Sequence, residues 1–184
     1  PAASASSTPD RVKRLLHLVR RFFASLLPIG PKAVDDAWAQ GHLSAPEQEL
    51  WTRMARVDRR HSVAVARRVE AALGEGATRP VVAAALLHDV GKTVPDLGTL
   101  GRVLATLSAM VAGEDTARHW IETRGFTRRV GQYVLYPELG VDLLRLADSD
   151  DLVTAWSREH HLPEPEWTVP VELGRVLRTA DDAS

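Results

Sequence analysis

VVAAALLHDVGK, residues 81–92, is apolar on every side of a helix until it reaches His88 and Asp89. A helix without a polar face belongs at the centre of a domain, and here Pro80 opens it and Gly91 stops it. Burying a charge without a partner costs several kcal/mol, so a polar pair at the end of such a helix requires company. Adjacent on a helix, His88 and Asp89 point about 100° apart, too far to pair simply, yet both can reach one ion beside the helix end.

Working outward, helical spacing of apolar residues accounts for the rest of the chain. Helices are predicted at Ala33–Gln40, Ala45–Val57 and Arg59–Leu73 before the central one. Others follow at Leu97–Val111, Asp115–Thr123, Thr127–Tyr133, Glu138–Leu146, Asp151–His161 and from Val171 onward. No sustained period-two run rich in β-branched residues occurs, so the fold class is all-α: a compact bundle around a buried central helix, residues 80–90. The expected organisation is a disordered tail at 1–7, an N-terminal helical extension at 8–57 packed on the core, and a main domain at 58–184. Within the extension, residues 9–27 pattern as an amphipathic helix with Val12, Leu15, Leu16, Val19, Phe22 and Phe23 on one face. Arg11, Lys13, Arg14, Arg20 and Arg21 lie opposite. That basic face suits an anionic membrane surface or an acidic partner, or is simply solvated.

Composition narrows the chemistry. The chain has 23 basic and 24 acidic residues, so it carries no overall bias toward DNA. No cysteine is present, which removes thiolate ligands, a cysteine nucleophile and disulfides, and leaves His, Asp and Glu to bind any metal. With no apolar run of the ~18 residues a membrane span needs, a cytoplasmic setting is expected.

Two more polar residues fall on buried stripes. His61 shares a helix face with Val65, Val69 and Ala72; alone it would read as a satisfied core histidine. Asp181 lies four residues after Leu177 on a stripe with Leu173, Val176 and Ala180; alone it would read as a frayed terminal carboxylate. Asp182 follows Arg178 and faces out.

Taken in order, DRRHSVAVARRVE (58–70), ALLHDVGKT (85–93) and LRTAD (177–181) resemble the HD superfamily of metal-dependent phosphohydrolases, whose signature is a His, a His-Asp pair and a distant Asp. The resemblance implies a divalent ion (Mn, Fe, Mg, Ni or Co) held by His61, His88, Asp89 and Asp181, with one or two ions per chain. It also implies hydrolysis of a phosphate ester of a nucleotide or related metabolite by a metal-activated water. Asp89 would orient that water or bridge two ions, and Lys92 would neutralise phosphoryl charge, although a cation at a helix C-terminus is also favoured by the helix dipole alone. The two-metal branch, which includes the HD-GYP phosphodiesterases, adds a His before a Pro and a later His pair. The pair matches His160 and His161, but Tyr136 stands before Pro137. Phenol is a poor ligand while protonated, so a mononuclear centre is expected, with His160 and His161 contacting phosphate or a weak second ion and His119 a distant substitute. LPEPEW (162–167) stands where a GYP motif would follow. Gly91 and Lys92 depart from the stringent-response hydrolases, and Tyr136 from the di-iron oxygenases. The alternative to an enzyme is a degenerate HD domain that binds a metal or nucleotide as a sensor or docking module.

Overall fold

The computed structural model describes residues 30–95 and 97–184. The expected tail at 1–7 and amphipathic helix at 9–27 lie outside the described residues. Among those described there are ten α-helices, four short 3₁₀ turns and no strand, so the chain is all-α. No described helix is long and apolar enough to cross a membrane.

Helices α1 (Ala33–Gly41) and α2 (Ala45–Arg53) lead into the long α3 (Arg56–Leu73). The sequence predicts one helix through Val57. Instead the backbone turns extended at Met54 and Ala55, with no Gly or Pro to announce the break. Met54 is 3 % exposed, so its burial in the core overrides local helix propensity. The start of α2 is a capping box: Ser44 Oγ accepts from the Glu47 N–H and Glu47 accepts from the Ser44 N–H. Gly74, with φ of +53°, ends α3.

Helix α4 (Arg79–Leu87) carries the decisive stretch, and all its residues from Val81 onward are buried. It packs against α3 on one side and α9 (Asp151–Glu159) on another, while α10 (Val171–Asp182) lies along α3. Leu86 and Leu87 are completely buried, each contributing about 1.5–3 kcal/mol. Trp51, Trp156, Leu144 and Leu177 fill the same core, which also takes in Leu50 and Met54. The central helix is shorter than predicted: α4 stops at Leu87, so His88 caps it, Asp89 lies beyond it, and a 3₁₀ turn covers Val90–Thr93.

Helices α5 (Thr99–Ala112), α6 (Glu114–His119) and α7 (Gly125–Val134) pack on one another around a small cluster of their own. Leu97, Ala105 and Val130 form it, with Trp120 and Tyr133 against them. Helix α8 (Tyr136–Leu146) then returns to the main core and rests on the 90–93 turn. That contact is backbone on backbone. A Cβ on Gly91 would lie 1.8 Å from the Tyr136 carbonyl oxygen, and one on Gly140 would lie 2.6 Å from Ser157 Oγ. Glycine at both positions lets the start of α8 close on the turn that follows His88 and Asp89.

Candidate metal centre

Three helices meet at the buried C-terminal end of α4. His61 comes from the second turn of α3, His88 caps α4, and Asp181 comes from the last turn of α10. One ligand atom from each lies within 4.8 Å of the other two. His61 Nε2 is 2.7 Å from Asp181 Oδ1, and His88 Nε2 is 3.8 Å from that same oxygen. Asp89 stands beside this set, its Oδ2 3.5 Å from His88 Nε2 and 2.5 Å from Lys92 Nζ.

The hydrogen bonds fix which atoms face the centre. His88 Nδ1 lies 2.9 Å from the Ala85 carbonyl, which can only accept, so Nδ1 carries a proton and Nε2 is the nitrogen turned to the centre. It lies 3.5 Å from Asp89 Oδ2 and 3.8 Å from Asp181 Oδ1, an ion pair whenever the ring is charged. Ligand atoms around one ion lie about 3–4 Å apart, so this acceptor set fits a cation. The charges agree: two carboxylates face one ammonium, and an imidazolium or a cation must meet the remainder. The His61–Asp181 hydrogen bond must give way by a few tenths of an ångström for both to act as ligands.

Burial opposes ionisation of Asp89, but Lys92 and the histidines His88, His160 and His61 outweigh it and hold the carboxyl well below the usual range. Lys92 is the converse: burial would lower it, and Asp89 and Asp58 keep it raised and charged. For Asp181 burial is again overcome, by the His61 hydrogen bond and by His88, so it too stays ionised.

On the far side of Asp89 lie the remaining expected residues. His160 Nε2 is 3.8 Å from Asp89 Oδ1 and 3.1 Å from the Tyr136 hydroxyl, which also contacts His161 Nε2. His160 and His161 follow α9 rather than belonging to it, with their rings 4.0 Å apart. Burial first, and then neighbouring positive charge, pushes both imidazoles below their ordinary range; burial and Asp89 raise the Tyr136 phenol. Lys92 Nζ sits 4.9 Å from the centre of the Tyr136 ring. His119 is exposed on α6 and bonds the Asp115 carbonyl, as a helical side chain does to its own preceding turn.

Three supports were not foreseen from sequence. Glu159 is fully buried and accepts from Thr168 N and Thr168 Oγ, both at 2.6 Å, anchoring the backbone just before His160. Arg178 is half-buried rather than outward: it donates to the His160 carbonyl at 2.7 Å and to Leu162. Asp58, one turn before His61, takes both oxygens to Arg102 of α5 at 2.6 and 2.8 Å. A groove of about 310 Å³ between α3 and α10, lined by Arg68, Ala72, Arg175, Val176 and Thr179, includes none of the centre's side chains.

Compared with known proteins, the chain matches no family model, no curated relative and no solved structure.

Proposed function

We propose that this chain is a metal-dependent phosphohydrolase of the HD type, acting on a phosphate ester of a nucleotide-like metabolite. The observation that carries the reading is the meeting of His61, His88 and Asp181, from three helices, at the buried end of α4 with Lys92 alongside. Asp89 joins the set as the fourth ligand. A divalent ion held there would supply Lewis acidity to a phosphoryl oxygen and an acidified water. The protein's own share is then specific. The Ala85 carbonyl keeps His88 in one tautomer, and the three helices hold the ligands in place before anything binds. Lys92 places an ammonium where phosphoryl charge develops. Its bond to Asp89 means that substrate phosphate competes with that carboxylate for the same cation.

That bond also favours a second reading, a binding module with little turnover, because it neutralises the two groups the hydrolase most needs. One experiment separates them: metal content of chelator-free protein, paired with hydrolysis of a chromogenic phosphodiester and monoester under Mn, Ni, Co and Mg. Bound metal with metal-dependent turnover supports the hydrolase. Bound metal without turnover selects the binding module, and absence of metal under every condition removes the centre.

A further inference from the structure

Past Arg102, α5 carries no charged residue: VLATLSAMVAG, residues 103–113, is apolar but for one Thr and one Ser. A helix of that composition belongs inside a protein. Ala105 obeys, fully buried in the cluster with Leu97 and Val130. Leu104 and Leu107 do not. Three residues apart and so on one face, they are 52 % and 53 % exposed, with Val103 half-buried beside them. An exposed apolar face of this kind marks a docking surface.

The sequence holds a second such face. Val12, Leu16, Val19, Phe23 and Leu26 line one side of residues 9–27, with Arg14 and Arg21 opposite. The chain delivers that segment to α5. After Leu27 come only Pro28 and Ile29 before Gly30, where a Cβ would lie 3.3 Å from the Arg56 Cβ. Arg56 opens α3 two residues before Asp58, and Asp58 holds Arg102, the neighbour of Val103, at 2.6 and 2.8 Å. As a helix, residues 9–27 are about 28 Å long, against ~21 Å for the 14 residues of α5, so from that tether they reach along the whole face. The groove between α3 and α10 is also in reach, but Arg68, Glu172 and Arg175 rim it, whereas the α5 face bears no charge.

We propose that residues 9–27 of this same chain dock as an amphipathic helix on the exposed leucine face of α5, with their basic side turned to solvent. The docked segment covers Leu104 and Leu107 and braces the end of α5 that presents Arg102 to Asp58. Neither a bound metal nor turnover is needed for it.

The test is hydrogen exchange, read by mass spectrometry on the 184-residue chain, in the parent and in Leu104→Asp combined with Leu107→Asp. Amides of residues 12–27 are expected to be protected in the parent and to exchange at least about 10-fold faster in the double variant, with α4 unchanged as the control for folding. Unprotected amides there in the parent, or protection that survives the double variant, overturns the docking. A second measurement keeps the face apolar and uses the absence of cysteine. Leu107→Cys is combined in turn with Val12→Cys, Val19→Cys and Leu26→Cys, and with Arg14→Cys and Arg21→Cys from the opposite side, under mild oxidation. An intramolecular disulfide is expected with at least one of the first three and with neither arginine position. A disulfide-linked dimer in its place would assign the face to a second copy. Protection of 12–27 that arises only with phosphatidylglycerol vesicles would assign the segment to an anionic lipid surface, and either result overturns the proposal.

Discussion

Asp89 has a histidine cluster on either side, and the two differ in what their ring nitrogens meet. Toward α3 and α10, His88 Nε2 faces oxygens of Asp89 and Asp181 directly, at 3.5 and 3.8 Å. Toward α9, the equivalent nitrogens of His160 and His161 are joined through one hydroxyl. Similar residue types, a few ångströms apart, make a group that could hold a cation in one place and a hydrogen-bonded polar cluster in the other. Ligand chemistry is therefore a property of the hydrogen bonds around the donors, and residue identity alone does not determine it.

The sharpest way to break the contrast is Asp181→Ala. It should lower metal affinity by more than the ~100-fold typical of losing an outer-shell partner, read by dialysis, with helicity by circular dichroism nearly unchanged. Retained affinity would mean that the first cluster is no more a metal site than the second. Lys92→Ala comes next: the centre should keep its ion while turnover of a phosphate ester falls by about 10²–10³-fold. Equal turnover would assign Lys92 to charge balance alone. Gly91→Ala probes the junction between the clusters. Its methyl would run into the Tyr136 carbonyl, and denaturant unfolding should show a loss of several kcal/mol.

A smaller effect concerns the α9 side. Burial would raise the Glu159 carboxyl, but hydrogen bonds from Thr168, Arg158 and Val169 outweigh it and hold it below the ordinary glutamate range. A depressed folded value means the stabilisation is complete above the unfolded value, about pH 4.3, and is lost as pH falls below it. Glu159→Gln should therefore cost about 1–3 kcal/mol at neutral pH and flatten the acid limb of stability. An acid limb identical to the parent's would show that other carboxylates set it. Smallest of all, His119→Ala should change neither metal content nor stability, because that ring is exposed and bonds only its own helix.

How much of this was legible follows from distance along the chain. The three converging residues could be picked out because helical periodicity is local: His61 lines up with Val65 and Val69, and Asp181 with Leu177. The apolar run 81–87 announced its own burial. Nothing local marks Asp58 for Arg102, 44 residues away, or the Tyr136 hydroxyl for two imidazoles 24 and 25 residues on. Such pairings depend on how helices cross. Gly91 could be read as a helix stop, but its closer role, allowing Tyr136 to approach, needs α8 in place. The break at Met54 and Ala55 was hidden because packing, not turn chemistry, makes it.

The His61–Asp181 contact spans 120 positions and is among the longest loops the fold must close. A growing chain holds His61 and His88 long before it holds the third member of the set, so the cluster is completed only as α10 docks along α3. Whatever binds the complete cluster recognises the finished fold over any earlier one, and by mass action it tightens that last docking step. An ion held there would thereby also act as a clasp, and its affinity would report whether the chain has finished folding.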